Sequence, residues 1–347
     1  MQTVPADEAA LERALSRPRT AARNALMSIA GDIMILGAGG KMGPSLARMA
    51  RRALDGAGVP REGDGARRVY AVARFTDTTL PDTLRADGVI PIRADLTDRG
   101  VLAQLPDAEN VLYLVGQKFG TQADPVSTWT QNVVAAVHCA ERYASSRIVA
   151  FSTGNVYPRT LVRDGGARES HALVADGEYA ASCIGRERVF QHAAARYGAR
   201  VVILRLCYAC DLRYGVLTDL ATRIYAGQSV PLANGYANVI WQGDANACAL
   251  RALTLASTNA PALNLSGPIV SVRSLGEMLA QRLGVTAQFS GIEAADALVV
   301  NIDVLGSRLP DEPMPLGMLV DWSASWVQRG GRLLGKPTKF DLRSGAY

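Results

Sequence analysis

Residues 32–43 read DIMILGAGGKMG, and this stretch decides the fold. A short apolar run ends in glycines, and KMGPSLARMARRAL follows with helical spacing. The pattern is a buried parallel strand that enters a tight turn and leaves it as a helix. Glycines stand at 37, 40 and 43, with a further one at 39. Gly37 permits the turn, Gly40 lets backbone approach a pyrophosphate, and Gly43 allows close packing of the helix. A phosphate placed there meets free N–H groups at a helix N-terminus, where the dipole favours negative charge. Lys41 and Met42 complete the loop and are expected to share in holding a dinucleotide.

Outward from this unit the alternation continues. RRVYAVARF is a second strand, a polar helix covers about 78–87, and GVIPIRADL is a third strand. NVLYLVG is a fourth, followed by a long helix over about 128–144. SRIVAFST is a fifth, and a helix from about 178 to 197 leads to ARVVILRLCYA, the sixth. Strand–helix alternation of this length predicts an α/β fold: a doubly wound parallel, Rossmann-type sheet with helices on both faces. Past residue 211 the pattern loosens into a smaller C-terminal α+β lobe. That lobe includes the strand ALNLSG and an amphipathic helix with Leu275, Met278, Leu279 and Leu283 on one face. Residues 1–30 form a helical arm broken at Pro18, with Thr20 the expected N-cap of its second helix, packed on the body or on a partner subunit. The expected division is 1–30 arm, 31–210 dinucleotide-binding domain, and 211–347 substrate-binding lobe.

The 347 residues are 48% hydrophobic and 20% charged, which excludes a disordered chain. Net charge is +5, but the basic residues are scattered. The densest run, Arg48 to Arg52 in RMARR, reads as a solvated helix end, so nucleic acid is not an expected partner. No apolar run reaches the roughly 18 residues that span a bilayer, and charges interrupt the first 25 residues. Five cysteines, an odd number, suit a reducing cytoplasm. Cys207 and Cys210 stand alone as a CxxC pair and are expected to be buried thiols, not metal ligands.

The end of the second strand should read the adenosine ribose. Arg74 stands there and no acid does, Asp77 coming three residues later, which favours NADP over NAD. In RADLTD, Asp95 and Leu96 are placed to flank the adenine.

Together these pieces, with QNVVAAVHCAER, FSTGNVYP, YAASCIGRE, ILRL and GDANACALRAL, resemble the extended short-chain dehydrogenase/reductases, in particular the NAD-dependent epimerase/dehydratase group, over about residues 31–290. The resemblance implies a small-molecule substrate, a sugar or nucleotide sugar, that undergoes hydride transfer at a C–OH/C=O centre. It implies Thr153 and Tyr179 as the catalytic hydroxyls, with Ser152, Asn155 and Tyr208 toward substrate and Gly116 and Tyr179 toward cofactor. It also implies a homodimer through the helices at 128–144 and 178–197, whose Val133, Val137 and Val189 are apolar.

Three positions depart from the family pattern. The lysine four residues after the tyrosine is Cys183, although Ser182 and Glu187 match. One helical turn from Tyr179, that ammonium would favour a phenolate; a thiol is neutral and a weak donor. Two cations are candidates to replace it: Lys118 in LVGQKFG and Arg186 on the same helical stripe. The acidic pair of 4,6-dehydratases is Gly154 and Asn155, which disfavours sugar dehydration, and the substrate-facing asparagine is Tyr208. Two readings follow: an epimerase or oxidoreductase that uses Thr153, Tyr179 and Lys118, or a cofactor-binding protein without redox turnover. The tail offers Lys336 or Lys339 for substrate contact.

Overall fold

Seven short apolar runs pair side by side in one parallel sheet. They are β1 (Ile33–Leu36), β2 (Val69–Ala73), β3 (Ile90–Arg93), β4 (Asn110–Tyr113), β5 (Arg147–Thr153), β6 (Arg200–Leu206) and β7 (Ala262–Leu265). The computed structural model describes residues 3–336, 338, 340, 341 and 343. The order across the sheet is β7-β6-β5-β4-β1-β2-β3. Ile33 therefore sits between Val69 of β2 and Asn110 of β4. The chain winds outward through β3, then crosses back to lay β4 beside β1. That reversal opens a crevice above the carboxyl ends of β1 and β4, the usual ligand position in such sheets.

Continuous burial explains the strand sequences. Ile33 to Leu36 are fully buried, as a strand covered on both faces requires. On one face lie α2 (Thr20–Met27), α3 (Gly43–Asp55) and α7 (Gln242–Ala252). On the other lie α4 (Ala135–Arg142) and α5 (Gly177–Tyr197). A single π-helical turn over Thr130–Val134 precedes α4 within the expected long helix.

Three expectations change. ALNL belongs to the main sheet and not to the smaller lobe: Leu263 pairs with Leu204 and Leu265 with Leu206. The preceding α7 packs on the sheet face and carries the chain to that edge. Thr20 is the first residue of α2, not its cap; Arg19 holds the cap position and extends its guanidinium to Asp244. RMARR is not a solvated helix end. Arg51 is 1% exposed and donates to the Arg67 carbonyl and Asp55, while Arg48 pairs with Glu12 and Asp87.

The arm packs on the body of its own chain. α1 (Glu8–Leu15), capped by Asp7, buries Leu11 and Leu15 in the core of the smaller lobe. α2 buries Ala22 and Leu26 against the sheet-face core. The smaller lobe is built on α6 (Val216–Tyr225), α8 (Val272–Leu283) and α9 (Leu316–Gln328), with Trp241 edge-on to Trp322 at 5.7 Å. Leu275, Leu279 and Leu283 face this core, with Met278 at its rim. In the tail, Thr338 bonds Asp219 and Lys336 is exposed, while Lys339 lies outside the described residues. Among the described residues no helix is long and apolar enough to cross a membrane.

Candidate cofactor and active site

The glycine loop closes tightly onto the neighbouring strand ends. Gly37 has φ +88°, and a Cβ there would lie 2.8 Å from the Val115 amide nitrogen. A Cβ on Gly43 would lie 2.5 Å from Ala38 Cα, so only glycine lets α3 start this close to the strand. Gly40 donates to the Gly37 carbonyl at 3.1 Å, which sets the turn. No side chain caps α3, and Met42 at its cap is buried. Those amides remain available to an anion, so the residues present fit a dinucleotide pyrophosphate.

Lys41 takes an inward course. Its Nζ donates to the Ala209 carbonyl at 3.0 Å and lies 3.8 Å from the centroid of the Tyr214 ring. Burial pulls its pKa down to about 8, although nearby Asp211 and Cys210 push it upward. Lys118 is close enough to oppose the Lys41 charge and to act on the Cys183 and Cys207 thiols. Two lysines thus approach the crevice from the β1 and β4 loops.

At the ribose end, Arg74 is exposed and its carbonyl accepts from Arg93 Nη1 at 2.9 Å. Arg93 was not singled out in the sequence. Register with Ala73 places it beside Arg74, and that pairing is the signal that would have found it. Both nearby acids are engaged in their own turns. Asp77 accepts from Thr79 N and Oγ1, and Asp95 from Thr97 N and Oγ1, interactions that hold both pKa values below the usual carboxylate range. Leu96 is buried beside Asp95.

β5 brings Ser152 and Thr153 to the crevice with different commitments. Ser152 Oγ donates to Glu187 Oε1 at 2.6 Å. Glu187 in turn makes a two-toothed pair with Arg205, which also donates to the Tyr157 hydroxyl. Thr153 Oγ1 meets the next turn: it donates to Asn155 Oδ1 at 3.0 Å and accepts from Asn155 N at 3.2 Å. The space that a side chain would need at Gly154 is filled by the Cys207 sulfur, so a carboxylate is sterically excluded there. Tyr208, just beyond β6, is half-buried with φ +42°.

The tyrosine helix α5 packs against the turn that follows Thr153. Half-buried Tyr179 stands one helical turn before Cys183, whose thiol burial pushes above its ordinary value while Arg186 and Tyr179 pull it back. Arg186 is 5% exposed. Its Nη2 donates to Cys183 Sγ at 3.2 Å and its Nη1 to the Val115 carbonyl at 2.8 Å. A Cβ at Gly116 would come within 2.7 Å of that Nη1 and 3.2 Å of Asn132 Oδ1, which gives this glycine its reason. Asn132, fully buried in the π turn, donates to Ser182 Oγ and the Gln117 carbonyl and accepts from Gln117 N. It locks the β4 loop to α5. All five cysteines are buried and free.

The Gly37–Gly43 loop, Gly116, Lys118, Thr153, Tyr179 and Tyr208 thus all lie on segments that end at, or pack along, the same carboxyl edge of the sheet. A family model described as the NAD dependent epimerase/dehydratase family matches residues 33–254. No curated protein sequence matches the chain. Among solved structures, a UDP-glucuronic acid 4-epimerase from Bacillus cereus, in complex with NAD and a fluorinated UDP-sugar, is 15% identical with a TM-score of 0.68. It covers 86% of this chain and 99% of its own. The dTDP-glucose 4,6-dehydratase DesIV from Streptomyces venezuelae, with NAD bound, is 19% identical at TM-score 0.67, over 86% of this chain and 97% of its own. A UDP-glucose 4-epimerase from Thermotoga maritima, with UDP-glucose, is 15% identical at TM-score 0.67, over 86% and 99%. At these identities the likeness is one of fold.

Proposed function

This chain belongs to the NAD dependent epimerase/dehydratase family, and from that premise we propose that it is an epimerase or oxidoreductase of a sugar or nucleotide sugar. The observation that carries the reading is the glycine cradle, where a side chain on Gly37 or Gly43 would strike neighbouring backbone. Gly37, Gly40, Lys41, Met42 and Gly43 hold the diphosphate, Asp95 and Leu96 flank the adenine, and Gly116 lines the nicotinamide end. A nicotinamide dinucleotide bound there supplies the hydride acceptor or donor. Thr153 and Tyr179 hold the reacting oxygen, Tyr179 takes or returns its proton, and Lys118 adds positive potential. Asn155 and Tyr208 face the sugar. Ser152 is better read as a brace for β5, since its proton is spent on Glu187. Gly154, closed off by Cys207, supports epimerisation or oxidation over 4,6-dehydration.

Arg74 beside Arg93, with both acids turned into their own loops, supports NADP over NAD. NADPH should therefore bind more tightly than NADH in a fluorescence titration, and Arg74→Ala should narrow the gap.

The activity is tested by single turnover of the cofactor-loaded protein with UDP- and dTDP-sugars, read at the nicotinamide absorbance. Tyr179→Phe should lower that rate by roughly 10²–10⁴-fold, the usual worth of a positioned acid–base group. A loaded wild-type protein that never changes absorbance would favour the second reading, a dinucleotide-binding protein without redox turnover, which the thiol in the lysine's place supports. We also place a homodimer contact on the face with exposed Val126, Trp129 and Val134 beside half-buried Val133, Val137 and Val189. Val134→Glu should halve the mass seen by light scattering; a wild-type monomer would remove this contact.

A further inference from the structure

The family model begins at residue 33, so the helical arm precedes the part of the chain that it matches. The apolar side of α1 is spent on packing, with Leu11 and Leu15 in the core of the smaller lobe. Its polar side meets the dinucleotide helix. Glu12 and Ser16 stand four residues apart, as do Arg48 and Arg52 on α3, so each pair lies along one face. Glu12 Oε2 is 3.0 Å from Arg48 Nη1, and Ser16 Oγ accepts from Arg52 Nη1 at 2.6 Å. The second carboxylate oxygen, Oε1, is 2.7 Å from Arg213 Nη2, in the segment that follows β6.

Each of these arginines already has a carboxylate of its own. Arg48 has Asp87 at 2.6 Å, and Arg213 has Asp211 at 2.6 Å. Glu12 is therefore not required to balance either charge; what it adds is a connection. α3 starts at the glycine turn. Arg213 belongs to a turn closed by reciprocal backbone bonds between Asp211 and Tyr214, at 2.8 and 3.0 Å. That turn follows closely on Tyr208, whose φ of +42° is in the left-handed region. Two further contacts run the same way. Lys41 Nζ, from the glycine turn itself, donates to the Ala209 carbonyl at 3.0 Å. At the end of α1 the Leu15 carbonyl accepts from Asn246 Nδ2 at 3.3 Å. That amide also donates to Ser45 Oγ at 2.9 Å, and Ser45 Oγ donates to the Met42 carbonyl at 3.0 Å, at the start of α3.

We propose that Glu12 is a positioning residue: by joining Arg48 to Arg213 it couples the dinucleotide helix to segment 208–214, so that a dinucleotide in the glycine turn fixes the backbone that carries Tyr208. The inference rests on the dinucleotide reading above and gives the arm a part in it. A phosphate at the α3 N-terminus is held by backbone N–H groups and orders that turn. Arg48 stands in the second turn of the same helix, Glu12 passes the constraint to Arg213, and the Asp211–Tyr214 turn passes it to Tyr208. Without the carboxylate each arginine keeps its own aspartate, so the fold stands while the link is lost. Lys41 is the competing link, and the test must separate the two.

The experiment is hydrogen–deuterium exchange of the full chain, read by mass spectrometry, with and without saturating NADP⁺. In wild type NADP⁺ should slow exchange over 37–46 and also over 208–214, the latter by about 5-fold or more, the lower end of the usual coupling between two sites. Glu12→Gln should keep the slowing over 37–46 and lose most of it over 208–214. Arg213→Gln should lose it as well, and the double variant should lose no more than either single one, as members of one path do. A carboxylate that merely holds the arm would loosen free and loaded protein alike and leave their ratio unmoved. Slowing over 208–214 that survives Glu12→Gln therefore overturns the proposal and leaves the coupling to Lys41. A wild type slowed over 37–46 but not over 208–214 overturns it too, with the dinucleotide reading intact. No slowing over 37–46 would overturn that reading and this coupling with it. Should either single variant fail to fold, the other decides by the same criterion.

Discussion

Two buried arginines flank α5, and they are held in opposite ways. Arg205 is 4% exposed and makes a two-toothed pair with Glu187, itself 1% exposed, plus a bond from Nη1 to the Tyr157 hydroxyl at 2.6 Å. Arg186, one position before Glu187 on the helix, has among the described residues only a carbonyl and a thiol. The first charge is compensated and therefore architectural: it ties β5, β6 and α5 together beneath the crevice. The second has no carboxylate in an ion pair with it among the described residues, and it lies two turns along the same helix from Tyr179, the residue whose ionisation the proposed chemistry needs. Burial alone does not separate architecture from chemistry; what neutralises the buried charge does.

The largest effect expected from this contrast falls on the compensated side. Glu187→Gln removes one charge and strands Arg205 in the interior, a change that typically costs about 3–5 kcal/mol. Urea unfolding of the variant should show a loss of that order, and one under about 1 kcal/mol would mean that water or Tyr157 already carries the Arg205 charge. Arg186→Met strands no carboxylate, and it leaves one carbonyl and one thiol without a donor. Its cost should be smaller, about 1–3 kcal/mol for a buried carbonyl left unmet. A loss as large as that of Glu187→Gln would erase the distinction between the two arginines.

The same contrast separates what was legible in the sequence from what was not. The six leading strands, the glycine turn and the tyrosine helix are local patterns of period and punctuation, and they stand where the sequence put them. The seventh strand was misplaced because four residues of ALNL carry no sign of their neighbour; the path of α7 decides that. Arg48 and Arg51 read as surface because charge next to charge on a helix usually is, and their partners Glu12, Asp87 and the Arg67 carbonyl are brought by the arm and two loops. For Arg186, helical spacing gave the place on the Tyr179 stripe, but only the β4 loop, whose Val115 carbonyl it meets, shows that it is buried. The Gly154 departure is of another kind. It looked like a missing acid and is a steric demand, made by Cys207 from the end of the neighbouring strand.

Lys41 gives the smallest and most pH-dependent break in the comparison, since it is a third inward-facing cation and, like Arg186, has no ion-pair partner among the described residues. It is held by the Ala209 carbonyl and the Tyr214 ring. Burial lowers its pKa from 10.5 to about 8, so folding disfavours its proton. Below about pH 8 both folded and unfolded chains carry the charge, and its burial weakens the fold in full. Between about 8 and 10.5 the unfolded chain still binds the proton and the folded one does not, so stability rises with pH. Above that window the ammonium is gone from both states and the cost vanishes. Lys41→Met should therefore be more stable than wild type at pH 7, with the gap closing by pH 10, as compared by urea midpoints at the two values. A gap that stays constant across the window would show that Lys41 keeps its charge in the folded chain, and that Asp211 compensates it much as Glu187 compensates Arg205.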